Sequence, residues 1–167
     1  MINQEHLFIT GFMGAGKTTV GKLLSEQLKI PVIDTDLYIE RIKNKKVSEI
    51  FQEDGEAKFR DLETESLQEI CKQNQAIITT GGGIILREQN RQLMKQQGKV
   101  IFLYCDIEET TRRLAKDNSR PLFNADLEEN KKRFEARLPL YREADYVIDT
   151  TSKTVEQIVE EIVSCLE

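Results

Sequence analysis

GFMGAGKT, residues 11–18, is the stretch of sequence that decides the fold. It matches the pattern GxxxxGK(S/T) and lies between an apolar segment typical of a strand and the amphipathic pattern of a helix. Gly11, Gly14 and Gly16 permit backbone conformations that other residues avoid, so successive N–H groups can turn toward an anion, and the following helix adds its positive N-terminal end. The stretch therefore predicts a loop that holds phosphate groups.

Two polar side chains complete this loop. Lys17 can reach the β- and γ-phosphates of a nucleoside triphosphate, and the Thr18 hydroxyl can bind a Mg²⁺ ion that bridges them. The alternative is a glycine-rich turn between strand and helix that contains an incidental lysine. The complete match in the required strand–loop–helix context favours a P-loop.

Short apolar segments rich in β-formers alternate with longer helical patterns along the chain. Such alternation implies crossover connections and a parallel sheet covered on both faces, which defines an α/β fold. Because 167 residues suffice for one core, we expect a single domain over residues 1–167. The predicted strands are residues 6–10, 31–34, 76–80, 100–105 and 146–149.

Helices are predicted from the spacing of apolar residues. Residues 155–166 follow the 3.6-residue period of an amphipathic helix, with Thr154 as a candidate N-cap. Leu62, Leu67 and Ile70 indicate another helix after Gly55, with a more polar stripe. The charged stretch 116–132 lacks such a pattern, and we expect it to be mobile or partly helical. A lid would lie there.

The composition excludes several classes of protein. With 24 basic and 29 acidic residues the formal net charge is −5, so the chain lacks the broad basic surface of a nucleic-acid binder. No stretch approaches the ~18 apolar residues of a membrane span. Cys71, Cys105 and Cys165 show no metal-binding spacing and fit a reduced cytoplasmic setting. His6 precedes the first strand without a nearby Ser, Cys or Asp partner, and we expect it to be structural or solvated.

Asp34 and Asp36 follow the second predicted strand. Residues two apart in extended backbone project to the same side, so one carboxylate could support a magnesium shell while the other accepts a hydrogen bond from an attacking hydroxyl. The alternative is that Asp34 or Thr35 only caps a helix that begins near Leu37. Beside a P-loop the pair favours the phosphoryl-transfer interpretation.

Three successive glycines, residues 81–83, follow the third predicted strand. Such a triplet costs chain entropy unless another group must approach the backbone closely. A ligand wall explains the triplet better than a plain turn, which stays open as the alternative.

The ordered motifs of this chain resemble those of the shikimate kinases, and the resemblance covers essentially the whole length. It implies a P-loop three-layer α/β/α domain with a central five-stranded parallel sheet, a helical lid at about residues 115–128 and an acceptor-binding helical region at about residues 35–63. The motifs are GFMGAGKT, DTD at 34–36, DGE and FRDLE within 54–63, GGG at 81–83, SRPL at 119–122 and RLPLYRE at 137–143.

The resemblance also implies a reaction. ATP would phosphorylate the 3-hydroxyl of shikimate, with Mg²⁺ as cofactor, in the cytoplasmic pathway to chorismate and the aromatic amino acids. The implied partners are these two small molecules, without nucleic acid or membrane, and the implied state is a monomer.

Residue roles follow from the same resemblance. Lys17, Asp36 and Arg120 would be catalytic, with Asp36 binding the acceptor hydroxyl or acting as its base and Arg120 closing over the transferred phosphate. Thr18 and Asp34 would hold the metal, Asp34 through its outer shell. ATP would contact Gly14, Ala15, Gly16, Lys17, Thr18, Thr19, Arg113, Arg120 and Lys153. Shikimate would contact Asp36, Arg60, Glu63, Gly81, Gly82, Gly83 and Arg137.

Each cation has a simpler interpretation. Arg60 lies four residues after Glu56, which is the spacing of an ordinary solvated helix pair worth ~0.2–0.5 kcal/mol. Arg120 and Arg137 lie in charge-rich stretches where most side chains are solvated. Lys153 stands where the family commonly has arginine, and an ammonium cannot stack on a purine as a guanidinium does.

Two other functions fit parts of the sequence. A kinase of the same superfamily that acts on gluconate or a nucleoside monophosphate would share the P-loop and the lid arginine. A nucleotide-dependent switch or a silent binding module would need only the P-loop, but the chain lacks an NKxD signature and a suitably placed DxxG motif.

Overall fold

The sheet at the centre of the molecule is entirely parallel. The structure, a computed structural model, describes residues 5–12, 14–114 and 127–167. Within them the strands run in the order β2-β3-β1-β4-β5, and every pairing is parallel. The strands are β1 (His6–Thr10), β2 (Val32–Asp34), β3 (Ile77–Thr79), β4 (Gly98–Tyr104) and β5 (Tyr146–Asp149).

Helices cover both faces of this sheet. The helices of the described residues are α1 (Lys17–Leu28), α2 (Thr35–Lys43), α3 (Val47–Cys71), α4 (Glu88–Gln97), α5 (Ile107–Leu114), α6 (Leu127–Tyr141) and α7 (Val155–Leu166), with a 3-10 turn at Ile84–Leu86. One apolar cluster packs α3, α4 and α6 on one face. A second packs α1 and α7 on the other. The predicted three-layer α/β/α architecture with a five-stranded parallel sheet is thereby confirmed.

The strands alternate their side chains between these two clusters, as the pleat requires. Phe8 and Ile78 contact the α3 side, whereas Ile9 and Ile77 contact the α1 side. This double burial explains why the strands appear in the sequence as continuous apolar runs. All five predicted strands lie where expected, to within two residues at each end.

Local signals account for several helix ends. The Thr154 hydroxyl accepts from the Gln157 N–H at 3.2 Å, and the Gln157 side chain accepts from the Thr154 N–H at 2.9 Å, which forms a capping box. The predicted cap of α7 is therefore confirmed. The helix predicted after Gly55 is also present, but α3 begins earlier, at Val47, and bends at Gly55, where φ is 85°. Only glycine takes that conformation easily. With φ 85° and ψ 169° Gly55 is not helical, so it separates two helical segments, and the second begins after Gly55 as expected.

His6 is structural. It is buried at the start of β1, with Nδ1 accepting from the Ala76 N–H and Nε2 donating to the Cys71 carbonyl, both at 3.2 Å. These two contacts tie β1 to the segment between α3 and β3.

The expected lid lies mostly outside the residues that the structure describes. In the described part of the charged stretch, α6 begins at Leu127, whereas residues 115–126 of the expected lid lie outside the described residues. Within the described ranges, no helix is both long and apolar enough to cross a membrane.

Candidate active site

The P-loop connects β1 to α1 at the carboxyl end of the sheet. Gly14 and Gly16 have φ of 82° and 90°, in the left-handed region that favours glycine, and Gly16 is the N-cap of α1. The N–H groups of the first turn of α1 therefore point toward the loop, as an anion site requires. Lys17 is buried and its Nζ donates to the Gly11 carbonyl. Thr18 and Thr19 are exposed at the helix start.

The DTD segment lies at the junction of β2 and α2. Asp34 caps α2, with Oδ1 accepting from the Leu37 N–H at 3.0 Å, and its Oδ2 accepts from the Thr79 hydroxyl at 3.1 Å. Asp34 therefore does cap α2, one of the two roles considered for it. It does not exclude a role at the metal, because each carboxylate oxygen retains a second lone pair that can accept from a metal-bound water.

A cavity of about 530 Å³ opens beside these residues. Thr18 of the P-loop lies at one part of its wall, and the wall continues over α2, α3, the glycine triplet and α6. The residues that line it are Thr18, Asp34, Asp36, Leu37, Glu40, Lys46, Val47, Ser48, Phe51, Phe59, Arg60, Glu63, Gly81, Gly82, Gly83 and Arg137. The cavity thus joins the phosphate-binding loop to the predicted acceptor residues.

Arg60 is buried in this wall, with 8% of its surface exposed. Its guanidinium pairs with Glu63 at 2.9 Å and with Glu56 at 3.1 Å, and it lies over the rings of Phe51 and Phe59 at 5.9 and 5.4 Å. Burial opposes its charge, but the two carboxylates outweigh burial and raise the pKa of Arg60. The pair with Glu56 exists, yet Arg60 is not the solvated residue that the simpler interpretation expects.

Glu63 is the most deeply buried acid of the site, at 1% exposure. Burial raises its pKa to about 7, and nearby Asp36 acts in the same direction, while Arg60 and Arg137 act against them. Its Oε1 is paired with Arg60, but Oε2 has no hydrogen-bond partner among the described residues. A buried carboxylate oxygen in that state can accept a hydrogen bond from a ligand.

Arg137 approaches the cavity from α6 and is 6% exposed. Its guanidinium lies 5.8 Å from the ring centre of Phe12. Arg133, one turn earlier on α6, is half-buried, and burial together with the charge of Arg137 lowers its pKa. The cavity wall therefore carries two nearly buried guanidinium groups, Arg60 and Arg137, in a suitable setting for a carboxylate.

The glycine triplet, residues 81–83, forms a wall that other groups approach closely. A Cβ at Gly83 would lie 2.3 Å from Nη1 of Arg60. A Cβ at Gly81 would lie 2.8 Å from Asp36 Oδ1 and 2.9 Å from Glu63 Oε2, so both carboxylates border the same small space. Gly83 has an ordinary φ of −97°. Close approach, rather than a left-handed turn, therefore explains the glycines at positions 81 and 83, and we call residues 81–83 the glycine wall.

Three residues predicted to contact the nucleotide, Arg113, Arg120 and Lys153, do not line the cavity as far as the structure describes them. Lys153 pairs with Glu161 of α7 at 3.0 Å. The backbone of Arg113 belongs to α5, but its side chain lies outside the described part of the chain, as does all of Arg120. Their roles stay predictions. The described residues contain no cluster of three or more His, Cys, Asp or Glu side chains that could hold a metal by themselves.

Comparison with known proteins agrees with the site. A family model described as shikimate kinase matches residues 13–167. The chain belongs to the shikimate kinase family. It is 50% identical over 159 residues to the shikimate kinase of Bacillus cereus strain AH187, covering 95% of this chain and 96% of that protein.

Solved shikimate kinases have the same fold. The enzyme from Acinetobacter baumannii in complex with shikimate superposes with a TM-score of 0.92 at 36% identity, over 97% of this chain and 92% of that one. The enzyme from Bacteroides thetaiotaomicron gives 0.89 at 35% identity, over 97% and 98%. The expected family and the phosphotransferase class are confirmed.

Several residues of this shikimate kinase site were not predicted, and four of them lie beside Arg60 or the glycine wall. Phe51 and Phe59 line the cavity beneath Arg60. Thr35 and Tyr141 contact the glycine wall from outside the cavity. A signal existed for Tyr141, which lies four residues after Arg137 and therefore on the same helix face.

Proposed function

We propose that this member of the shikimate kinase family transfers the γ-phosphate of ATP to the 3-hydroxyl of shikimate. One observation carries the proposal: a single cavity has Thr18 of the P-loop and the buried pair Arg60 and Arg137 in its wall. A cavity of about 530 Å³ falls in the range of small-molecule sites. Family membership supports the same acceptor.

The acceptor is a hydroxylated carboxylic acid, and the cavity offers complementary groups for both functions. Its carboxylate would bind between Arg60 and Arg137, since guanidinium groups present paired donors to carboxylates. Its hydroxyls would bind Asp36 and Oε2 of Glu63, which border the same space beside Gly81. The apolar ring face would lie against Phe51 and Phe59, which also line the cavity.

The reaction is a displacement in which placement and charge stabilisation supply most of the rate enhancement. The attacking hydroxyl donates its proton toward Asp36 as its oxygen bonds to the γ-phosphorus, and the bond from that phosphorus to the bridging oxygen of ADP breaks. Lys17 neutralises charge on the β- and γ-phosphates. Arg120, in the lid segment at about 115–128, would close over the transferred group and exclude water.

The residues present fit a Mg²⁺ ion carried in by ATP. Such an ion keeps several waters and needs only one or two protein ligands besides the phosphates, so a large acidic cluster is unnecessary. Thr18 would supply its hydroxyl directly. Asp34, whose oxygens already accept from Leu37 and Thr79, would accept further hydrogen bonds from metal-bound waters. When bound, the metal supplies positive charge at the phosphates.

Further nucleotide contacts complete the proposal. Gly14, Ala15 and Gly16 would bind the phosphates through their N–H groups, with Thr19 behind them, and Arg113 and Lys153 would lie beside the adenine. We propose one domain over residues 1–167, with the acceptor region at about 35–63. We propose a monomer, and a cytoplasmic setting with which the three free cysteine thiols accord.

A coupled ADP assay tests this function. Purified enzyme with ATP should release ADP only when shikimate is present, and omission of magnesium should abolish the release. Turnover of gluconate or a nucleoside monophosphate without turnover of shikimate would select a different kinase. Nucleotide-dependent partner binding without any acceptor-dependent turnover would select a switch.

Arg137→Ala tests the acceptor side separately. The variant should lose affinity for shikimate by roughly 10-fold to 150-fold, because a hydrogen bond to a charged group contributes ~1.5–3 kcal/mol. The affinity for ATP should change by less than about twofold. An equal loss for both ligands would remove Arg137 from the acceptor site.

A further inference from the structure

The glycine wall is held in place by two hydroxyl groups that do not line the cavity. The Gly81 N–H donates to the Thr35 hydroxyl at 2.9 Å. The Tyr141 hydroxyl donates to the Gly82 carbonyl. Thr35 is fully buried at 0% exposure and Tyr141 is 1% exposed, so both residues are fixed in the interior, while the hydrogen bonds that they make to the half-buried glycines are partly buried. A partner that is held in the interior restrains the backbone more than a mobile surface side chain does.

The hydrogen bonds within the turn that follows the glycine wall do not involve the Gly81 N–H or the Gly82 carbonyl. The carbonyls of Gly81 and Gly83 accept from Ile84 and Leu86, both at 3.1 Å, within the turn that follows. That leaves the Gly81 N–H and the Gly82 carbonyl to be satisfied by Thr35 and Tyr141.

Two amides of the wall remain available to a ligand. The N–H groups of Gly82 and Gly83 make no hydrogen bond to any described residue, and both glycines line the cavity. A small displacement of the glycine wall would therefore change the distance and angle at which these two N–H groups meet the acceptor.

Tyr141 also contacts the other half of the acceptor site. It lies on α6 one helical turn after Arg137 and therefore on the same helix face, close enough for the charge of Arg137 to act on its pKa. Burial raises the pKa of Tyr141 to about 12, and Arg137 acts against that rise, so the phenol keeps its proton and remains a donor. Its ring stacks on Phe102, with centroids 4.9 Å apart and planes 5° from parallel, which restricts its movement.

We infer that Thr35 and Tyr141 are positioning residues for acceptor binding, in which their hydroxyls hold the glycine wall from both sides and Tyr141 sets that wall relative to Arg137. The inference rests on the proposed function. Thr35 acts through the segment that carries Asp36, and Tyr141 acts through the helix that carries Arg137. The position of the glycine wall is thereby fixed relative to Asp36, which would bind the acceptor hydroxyl, and to Arg137, which would bind its carboxylate.

A merely structural role makes a different prediction. Loss of a buried hydrogen bond that only stabilises the fold lowers the melting temperature and leaves the kinetic constants of the folded fraction unchanged. A positioning role raises KM for the acceptor, leaves KM for ATP unchanged, and is reversed when the hydroxyl is restored.

The test compares two hydroxyl deletions in one aromatic cluster. Tyr141→Phe keeps the stacked ring, and Tyr104→Phe is the matched control, since Tyr104 packs edge-on against the same Phe102 and its phenol has no hydrogen bond to the described residues. Tyr141→Phe should raise KM for shikimate by about 3-fold to 10-fold, the range that one net hydrogen bond gives. KM for ATP should stay within about twofold, and Tyr104→Phe should match the wild type in both constants.

Thr35 supplies the second, independent pair of variants. Thr35→Ser keeps the acceptor oxygen for the Gly81 N–H and should retain the wild-type KM for shikimate, whereas Thr35→Val removes that oxygen and should raise KM by a similar 3-fold to 10-fold. This pair decides the matter if Tyr141→Phe does not fold.

Specific results would overturn the inference. They are a shikimate KM for Tyr141→Phe equal to that of Tyr104→Phe, an equal rise for both substrates, or a Thr35→Ser variant as impaired as Thr35→Val. Failure of the proposed function is distinguishable, because the wild-type enzyme itself would then show no shikimate-dependent release of ADP.

Discussion

Gly83→Ala provides the sharpest test of how the acceptor site is built. The backbone at Gly83, with φ −97° and ψ 4°, suits alanine, so the substitution introduces no backbone strain. The new Cβ would lie 2.3 Å from Nη1 of Arg60 and 2.4 Å from its Cζ and Nη2. An ordinary contact needs at least 3.4 Å, so the whole guanidinium must retreat by about 1 Å. The perturbation therefore acts on Arg60 without changing that residue.

The retreat of Arg60 has a calculable consequence. Its charge-assisted contact with a bound carboxylate is worth ~1.5–3 kcal/mol, so KM for shikimate should rise roughly 10-fold to 150-fold. KM for ATP should change by less than about twofold, because the P-loop does not contact Gly83. Stability should fall less than for an ordinary broken buried ion pair, since Glu63 can take up a proton when Arg60 withdraws.

A double-mutant cycle with Arg60→Ala identifies the cause. Removal of the guanidinium removes the steric conflict, so adding Gly83→Ala to Arg60→Ala should cause no further loss of shikimate affinity. Steady-state kinetics of the four proteins, with shikimate and ATP varied in turn, provide the measurement. A wild-type KM for Gly83→Ala, or the same fold-loss in both backgrounds, would refute the reasoning.

Three more perturbations test other parts of the structure. Because the pKa of Glu63 is raised from 4.5 to about 7, its contribution to stability is complete below pH 4.5 and is lost as pH rises through about 7. In urea titrations the unfolding free energy of the wild type, relative to that of Glu63→Gln, should therefore fall by about 3 kcal/mol between pH 4.5 and pH 8. A difference that does not change with pH would contradict this prediction. Thr154→Ala should cost ~1 kcal/mol of unfolding free energy, because the capping box with Gln157 is lost. Gly21→Ala places a Cβ 2.5 Å from Cγ2 of Thr79 and should lower the unfolding free energy by ~1–3 kcal/mol. Adding Thr79→Ser removes that methyl group and should restore most of the lost stability. If the double variant is no more stable than Gly21→Ala, the strain lies elsewhere.

Most of the fold could be predicted because its signals are local. Buried parallel strands are continuous apolar runs, and all five were found in this way. The helix α4 was not predicted, since its ten residues contain only Leu93 and Met94 as large apolar side chains. Apolar spacing located only the part of α3 that follows Gly55, and Gly55, whose φ and ψ are not helical, does separate that part from the segment that begins at Val47.

The nucleotide side of the site was also within reach of the sequence. A P-loop binds phosphate chiefly through backbone N–H groups, and the glycines that permit its geometry are contiguous in the chain. Gly14 and Gly16 adopt the left-handed conformations that the motif predicts. The conformation of this loop therefore follows from local sequence without tertiary contacts.

The acceptor side could not be predicted from local rules, because every decisive property there comes from contacts between distant segments. Sequence spacing alone presents Arg60 as a solvated partner of Glu56, and that pair does form. Arg60 is nevertheless buried, because the glycine wall, more than twenty residues later, lacks the side chain that would displace its guanidinium. The absence of a Cβ at Gly83 therefore makes room for the guanidinium of Arg60. Only the resemblance to a family could predict that Arg60 lies against the glycine wall, because the effect of a glycine on a distant side chain depends on which residues surround it in the fold.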